Sequence, residues 1–427
     1  MGKRVIVAGA GHGGLVAAAL LSRKGFEVTV FEKRNRDEIG YDWNDCINPS
    51  VFDALRIPRP SDDELLPFDG MNYLSPDKSV LICGKKKVKS SKIAERKAVL
   101  ACLIDFAEEN GVAFHFGVSV IRAISEKNRV VGLKTHIGDF ACDLLIDSCG
   151  MDSPIRQNLP EAFGITAGFT KPQTLYTYRA FYERTNREEP LPKFTCCFYH
   201  NGVPSLDWMI TEENYVDILV ASFGTTSDAI IHNGVEDFRS FHGGIGEQKL
   251  RGGQRSKIPV RRTIPVFVAD GYAAVGDCAA MVEPLSGSGI TVSVEAGSFL
   301  AQVAAESQNN FSKEDLWQYE VLYFEKRLKS ILKDETTRLL MLSMTAEQLN
   351  AMFTKKVITA KELCNDKEPQ PHDMRNKFFG VLTTPGVIPS LLKYAVRFKR
   401  IDALRAQFPH EYNEEKIRLW AKKYNRF

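Results

Sequence analysis

Residues 3–14 read KRVIVAGAGHGG, an apolar run that leads directly into a cluster of glycines. The run from Lys3 to Ala8 predicts a short buried strand, and the alanine- and leucine-rich segment from Gly14 to Lys24 predicts a helix. A second apolar run, from Phe26 to Phe31, predicts a strand parallel to the first. Together these segments predict a βαβ unit at the start of an α/β fold.

The glycine cluster fits the pattern G-x-G-x-x-G. Gly9 permits a tight turn, Gly11 lets the backbone approach a pyrophosphate, and Gly14 allows the helix to pack on the strand. The helix N-terminus offers unpaired N–H groups and a partial positive charge to phosphates. Glu32 ends the second strand, where a carboxylate accepts hydrogen bonds from ribose hydroxyls and disfavours the 2′-phosphate of NADP. The unit therefore predicts a site for NAD or FAD.

A second glycine cluster, DGYAAVGDCAAMVEPLSGSGI at residues 270–290, resembles the Gly-Asp motif of flavoproteins with the p-hydroxybenzoate hydroxylase fold. Asp277, at a predicted strand end, can hold a ribityl hydroxyl. The loop from Pro284 to Gly289 has small side chains that leave room for a flat ring. A helix that begins near Ile290 would direct its positive end at the ring edge, where negative charge appears on reduction. This segment favours FAD over NAD.

Two further segments resemble the same flavoproteins. Arg96 lies where they carry an arginine at the start of a helix that faces the flavin chain. Residues 147–156, DSCGMDSPIR, resemble the Asp-Gly segment of flavin hydroxylases, with Cys149 in place of their aspartate. Because hydroxylases use that segment for both FAD and NADPH, the change disfavours NADPH-driven hydroxylation.

The pattern along the chain predicts an α/β fold with a Rossmann-like FAD domain, an α+β substrate domain with an antiparallel sheet, and a helical C-terminal region. The FAD domain is discontinuous in this prediction, with segments 1–70, 93–165 and 258–305. The substrate domain takes 71–92 and 166–257, and the helical region takes 306–427. Strands are expected at 174–182, 193–199 and 216–223, a hairpin at 266–275, a helix at 93–110 and irregular structure at 41–90.

Three features resemble the geranylgeranyl reductases over most of residues 3–330. Glu38-Ile39-Gly40 followed by Cys46 is similar to their segment that brings a cysteine beside the flavin. LDWMIT at 206–211 is similar to their substrate strand, without its first aromatic residue and its proline. The helical, basic and aromatic C-terminus is the third feature. The resemblance implies hydride transfer from reduced FAD to a carbon–carbon double bond of an isoprenoid or other apolar substrate.

The resemblance assigns roles to individual positions. The predicted FAD-binding residues are Gly9, Ala10, Gly11, His12, Gly13, Gly14, Glu32, Lys33, Arg96, Val120, Gly276, Asp277, Pro284, Gly287, Gly289 and Ile290. The predicted lining of a tunnel for the apolar substrate is Tyr176, Tyr178, Phe181, Phe198 and Trp208, with ordinary core packing as the alternative for each. Cys46 is the candidate catalytic residue, as the donor of the second proton or as a group that tunes the flavin, with a buried inert thiol as the alternative. No metal site is predicted.

Reduction of an isolated alkene needs a strongly reducing flavin, which implies an external donor such as ferredoxin or a reduced nicotinamide. The lysine-rich run at 85–89 is a candidate docking segment for an acidic donor, or a solvated loop. One alternative function is a flavin monooxygenase or halogenase, although residues 206–211 match only the second tryptophan and the isoleucine of the halogenase motif. Another is a non-catalytic prenyl-lipid carrier of the Rab escort type, which intact FAD motifs disfavour.

Composition narrows the partners and the compartment. The 427 residues carry a net charge of only +3, so nothing predicts nucleic-acid binding. The nine cysteines follow no metal-binding spacing, which is typical of a reducing cytoplasm, and neither a signal peptide nor a spanning helix is expected. From residue 375 to 427 there are twelve Lys/Arg against four Asp/Glu. That excess predicts peripheral contact with an anionic membrane, an acidic protein partner, or only a solvated helical face.

Overall fold

The computed structural model describes residues 2–68, 70–84, 91–166, 168–188, 193–200, 203–307, 310–359 and 373–427. The strands are β1 Arg4–Ala8, β2 Glu27–Glu32, β3 Asn44–Ile47, β4 Leu66–Pro67, β5 Asn72–Leu74, β6 Leu81–Cys83, β7 Lys92–Glu95, β8 Ala113–Phe116, β9 Val120–Glu126, β10 Arg129–Thr135, β11 Gly138–Ala141, β12 Leu144–Asp147, β13 Leu175–Arg184, β14 Phe194–His200, β15 Val203–Thr211, β16 Tyr215–Phe223, β17 Ile245–Ile258, β18 Val268–Ala269 and β19 Tyr272–Ala274. The helices are α1 His12–Ser22, α2 Pro49–Leu55, α3 Arg96–Glu109, α4 Pro154–Gln157, α5 Asp228–Phe241, α6 Ile290–Glu306, α7 Lys313–Leu342, α8 Ala346–Thr354, α9 Asp373–Leu382, α10 Val387–Arg405 and α11 Glu414–Arg426.

A six-stranded sheet with the order β18-β19-β12-β1-β2-β8 forms the first layer. Its strands are parallel except β18, which forms an antiparallel pair with β19 around Asp270-Gly271, as the sequence predicts. Val5, Ile6 and Val7 of β1 are all buried, because helices cover both faces of a parallel sheet. The Rossmann-like prediction is confirmed.

Helices α1 and α6 approach each other closely on this sheet. A Cβ atom added at Gly13 would lie 2.6 Å from the carbonyl oxygen of Ser293. A Cβ atom at Gly297 would overlap the carbonyl oxygen of Gly13. Small residues at the crossing let the two backbones touch, and the N-termini of both helices therefore lie on the same side of the molecule.

A seven-stranded sheet with the order β17-β13-β16-β15-β14-β5-β6 forms the second layer. Its neighbours are antiparallel except for the parallel pair β14–β5. Val235 and Phe238 of α5 pack on one side of this sheet. The predicted antiparallel sheet is confirmed, while the segment limits assigned to each domain stay predictions.

Two local predictions are wrong. The segment 41–90 is not irregular throughout, because it contains β3, α2, β4, β5 and β6 in its described part. The helix expected from Ile93 begins only at Arg96, because Lys92–Glu95 is a strand that pairs with both β3 and β4. Local sequence cannot reveal this strand, since its partners are remote segments.

The C-terminal helices pack against both layers, which confirms the predicted helical region. Glu335 in α7 accepts hydrogen bonds from the backbone N–H of Arg262 at 3.1 Å and from Arg397 of α10 at 2.8 Å. The Arg262 side chain pairs with the same carboxylate. No helix in the described part of the chain has both the length and the apolar character needed to span a bilayer.

Candidate active site

A continuous cavity of about 930 Å³ receives side chains from both sheets. Most predicted cofactor-binding residues line it: Ala10, Gly11, His12, Gly13, Glu32, Lys33, Arg96, Gly276, Asp277, Gly287, Gly289 and Ile290. Gly9, Gly14, Val120 and Pro284 do not. Val120 instead begins β9, in a separate three-stranded sheet.

The two predicted glycines outside the lining, Gly9 and Gly14, shape the turn before α1 and the packing of its first turn. Gly9 has a φ of +87°, and a Cβ atom there would lie 2.6 Å from the carbonyl oxygen of Ser148. A Cβ atom at Gly14 would lie 2.6 Å from the Ser148 side chain and 3.0 Å from Val7 of β1. The turn and the close helix–strand packing therefore require glycine at both positions.

The start of α1 presents polar groups to the cavity. Gly11 caps the helix without a side chain, so its first-turn N–H groups have no side-chain acceptor there. The Glu32 carboxylate accepts from the backbone N–H of Ala10 at 2.9 Å and of Arg34 at 3.0 Å. Those two bonds fix a carboxylate beside the helix end.

His12 carries a buried polar atom that the surrounding protein does not satisfy. Its Nε2 has no hydrogen-bond partner among the described residues. Burial, and secondly the charge of Arg96, lower the pKa of His12 to about 3. The neutral ring lines the cavity, and a buried polar atom of this kind calls for a bound group that can hydrogen-bond to it.

The start of α6 meets the same cavity. Gly289 caps this helix, again without a side-chain hydrogen bond, and Ile290 and Thr291 line the space beside it. Two helix N-termini, each with a partial positive charge, therefore face one cavity. Such an arrangement favours a ligand that is anionic or electron-rich at two separate points.

Charged side chains line the same cavity as these two helix ends. Arg96 begins α3, and its Nε donates to Asp45 at 2.5 Å. Burial raises the pKa of the Asp277 carboxyl to about 6, and the nearby charge of Arg96 limits the rise. Asp277 is therefore mostly ionised at neutral pH and is placed to accept hydrogen bonds from a ligand.

Cys46 lies in β3 and also lines the cavity. Burial raises the pKa of its thiol to about 11. The thiol is therefore neutral at physiological pH, a state that can give up a proton but makes a poor nucleophile.

Another part of the cavity is lined by apolar side chains. Its lining includes Phe68, Met71, Tyr73, Phe194, Cys196, Phe198, Leu206, Trp208, Ile210, Leu219, Leu285 and Met341. Phe198 and Trp208 are at the cavity, as predicted. Tyr73 stacks on Phe198 with ring centroids 5.7 Å apart, which gives this end a flat aromatic wall.

The other three predicted substrate residues do not line the cavity. Side chains alternate along β13, and Thr177 and Arg179 take the positions that face the space. Tyr178 packs instead with the core beside α5, and the ring of Tyr176 lies 5.8 Å from Lys257 Nζ. Phe181 lies on the same face as Thr177 and Arg179 but farther along β13, where the Arg251 guanidinium is 3.8 Å from its ring centroid.

Arg179 is a site residue that the sequence reasoning missed. Its buried guanidinium pairs with Asp217, with Nε 2.8 Å from Oδ1, and donates to the carbonyl oxygen of Asn44 in β3. Polar residues at every second position of LYTYRAFY, Thr177 and Arg179, are the signal that marks the inward face. Tyr41 and Trp43, stacked 4.2 Å apart, also line the cavity and were missed. The lysine-rich run at 85–89 lies outside the described residues.

Known proteins share this architecture. The family described as NAD(P)-binding Rossmann-like domain matches residues 7–49. The fold is similar to the geranylgeranyl bacteriochlorophyll reductase-like protein of Thermoplasma acidophilum, with a TM-score of 0.72, 17% identity, and 92% of this chain and 99% of that one covered. The structure of CtdE with FAD and a substrate gives a TM-score of 0.62 at 16% identity, over 91% of this chain and all of that one.

In sequence, the chain is similar to digeranylgeranylglycerophospholipid reductase 1 of Methanococcoides burtonii, with 26% identity over 74% of this chain and 78% of the relative. The two-layer architecture is that of the flavoproteins with the p-hydroxybenzoate hydroxylase fold. The resemblance to the geranylgeranyl reductase-like family is confirmed, and that family shares its FAD-binding Rossmann fold with flavin monooxygenases.

Proposed function

We propose that this cavity binds FAD. The observation that carries the proposal is the convergence of two uncapped helix N-termini, at Gly11 and Gly289, on one cavity that also holds Glu32 and Asp277. In the proposal the α1 end holds the phosphates, Glu32 holds the adenosine ribose, and Asp277 holds the ribityl chain. His12 Nε2 would gain its missing hydrogen-bond partner.

We further propose that the protein is an FAD-dependent oxidoreductase that reduces carbon–carbon double bonds of an isoprenoid or similar apolar substrate. Bound FAD, once reduced, supplies a hydride. The aromatic wall of Tyr73, Phe198 and Trp208 excludes water and orients the apolar chain. The neutral thiol of Cys46 holds a proton at Sγ that the other carbon of the double bond can accept. The similarity to digeranylgeranylglycerophospholipid reductases supports an isoprenoid lipid as substrate.

The electron donor in this proposal is ferredoxin or a reduced nicotinamide. We propose a cytoplasmic location because the described cysteines are all free, as a reducing compartment keeps them. The proposal also includes peripheral contact with a membrane, because one end of the cavity is apolar and the proposed substrate is a lipid.

A flavin monooxygenase is the second candidate, because the same fold occurs in PqsL of Pseudomonas aeruginosa, a probable FAD-dependent monooxygenase. One experiment separates the candidates. The purified protein is reduced anaerobically by light, and an isoprenoid lipid is added while flavin absorbance is followed. We expect reoxidation without oxygen and a product with two more hydrogens. Reoxidation only in air, with an oxygen atom added to the product, would identify a monooxygenase, and a colourless protein that takes up no FAD would identify a carrier.

The role of Cys46 is tested by Cys46→Ala. If Sγ donates the proton, we expect turnover to fall about 100-fold, while FAD content and substrate affinity are unchanged. Cys83→Ala, which removes an exposed thiol in β6, is the matched control. A loss of less than about twofold would show that Cys46 is an inert thiol.

A further inference from the structure

Helices α9 and α10 expose an apolar surface that neither the cavity nor the core uses. Its exposed members, here called the apolar face, are Phe378, Phe379, Leu382, Ile388, Leu392, Val396 and Phe398. Leu392 is 63% exposed and Phe378 is 62% exposed. The other large apolar side chains that are exposed in the described residues are scattered, at Leu81, Ile121, Ile137, Leu250 and Leu419. Clustering of this kind marks an interaction site.

The spacing along α10 shows that core packing does not explain the apolar face. Ile388, Leu392 and Val396 recur every fourth residue and so form one line along the helix. Tyr394 and Ile401 are buried on the side that faces the protein. The helix is therefore apolar on two sides. The protein core covers the inner side, and the outer side is left for an apolar partner outside the protein.

The charges around the apolar face have one sign. Between residues 374 and 401 the sequence has six Lys/Arg and no Asp or Glu. Lys393, Lys399 and Arg400 are exposed on α10, whereas Arg397 is committed to Glu335. This pattern complements an anionic surface. A second copy of the chain would bring like charges together across a two-fold contact, which opposes self-association.

The apolar face is also connected to the cavity. Val381 of α9 and Val387 and Leu391 of α10 lie in the same apolar cluster as the cavity-lining side chains Phe198 and Leu206. An unbroken apolar layer therefore runs from the exposed helices to the wall of the cavity.

We propose that α9 and α10 form a membrane-docking surface that lies in the plane of an anionic lipid bilayer. Its apolar side chains enter the boundary between headgroups and acyl chains, and its lysines and arginine contact anionic headgroups. The proposal of membrane docking depends only on the exposed residues of α9 and α10. The further idea that a membrane lipid reaches the cavity rests on the proposed function.

The test is flotation of the full-length protein with vesicles, without substrate or reductant. The vesicles are phosphatidylcholine alone, or phosphatidylcholine with about 30% phosphatidylglycerol. We expect about tenfold more protein to float with the anionic vesicles, and high salt to reduce this recovery. The double variant Leu392→Ser/Val396→Ser should lose most of the binding. The variant Lys393→Gln/Lys399→Gln should lose the preference for anionic lipid.

The matched control is Ile121→Ser/Ile137→Ser, which removes two exposed apolar side chains far along the chain from α10. Circular dichroism and thermal melting check that every variant folds.

Equal flotation of wild type and Leu392→Ser/Val396→Ser would overturn the proposal. So would a lipid-free dimer that this variant dissociates, since the face would then join two copies. A failed reductase assay would leave the flotation result intact, and reduction of a detergent-dispersed lipid should be the same in variant and wild type.

Discussion

The carboxyl group of Asp277 receives opposing influences from its surroundings. Burial favours its neutral form, while Arg96, held by Asp45, favours the ionised form. The result is a carboxylate at neutral pH that can accept hydrogen bonds from a ligand, and such charge-assisted hydrogen bonds are stronger than neutral ones.

We expect Asp277→Ala to weaken FAD binding about 10- to 100-fold, because a hydrogen bond to a charged acceptor is lost. The dissociation constant is measured by quenching of flavin fluorescence. Asp152→Ala is the control, since Asp152 also lines the cavity but its side chain is 62% exposed. Equal affinity of the two variants would contradict the role of Asp277.

Glu320 is a buried carboxyl outside the site. Its Oε1 accepts from the backbone N–H groups of Phe267 at 2.7 Å and Val268 at 3.0 Å, and burial raises its pKa to about 8. Glu320 therefore keeps its proton in the folded protein up to a pH of about 8, whereas the unfolded chain, with the ordinary pKa of 4.5, releases it at a lower pH. A raised carboxyl pKa means that stability falls as pH rises from 4.5 through 8.

We expect Glu320→Gln to remove this pH dependence, because the amide oxygen still accepts both bonds and does not ionise. Between about pH 5 and pH 9 the wild type should lose on the order of 3–5 kcal/mol relative to the variant. Urea denaturation at several pH values measures the difference. Glu325→Gln, on the exposed side of the same helix, should behave like wild type, and parallel curves for all three proteins would contradict the prediction.

Among the elements, the crossing of α1 and α6 fixes both helix ends at the cavity. We expect Gly297→Ala to cost about 1–3 kcal/mol of stability, since the new methyl group would overlap a backbone carbonyl that cannot move away. Thermal melting and FAD content should fall together. Gly243→Ala is the control because a Cβ atom there meets nothing within 4 Å. An unchanged melting temperature for Gly297→Ala would show that the helices can separate without harm.

The same elements show what sequence reasoning can reach. The unit β1-α1-β2 is predictable because its apolar runs, glycines and terminal acid all lie within about thirty residues. Strand β7 was missed because its partners β3 and β4 are remote. The prediction that Tyr176 and Tyr178 line the cavity is wrong. The sequence shows that the strand is rich in aromatic residues, but it does not show which face of the sheet lines the cavity. Phe198 and Trp208 do line the space, while their contact with a substrate stays a prediction.

At the scale of the whole molecule, Glu335 joins three distant segments. Burial alone would raise the pKa of Glu335. The charges of Arg262 and Arg397 nevertheless hold this pKa below its usual value. We expect Glu335→Gln to cost about 3–5 kcal/mol at neutral pH, because two arginines lose their shared countercharge. The wild-type advantage should disappear in acid, as the carboxylate is protonated.

Chemical denaturation at neutral and acidic pH measures this difference. Glu306→Gln, at the exposed C-terminal end of α6, is the control. A variant as stable as wild type at neutral pH would show that the packing of α10 on α7 alone holds these segments together.

The order of strands in the first sheet has a consequence for synthesis. Strand β12 pairs with β1 on one side and with β19 on the other, and β19 begins only at Tyr272. At about 5–20 residues per second, a ribosome needs roughly 6–25 s to pass from the end of β12 at Asp147 to that point. Throughout that time the glycine loop at Gly9 is already outside the exit tunnel, yet the sheet that supports it lacks an edge. We therefore expect nascent chains arrested before residue 272 to retain no cofactor, although their dinucleotide motif is complete.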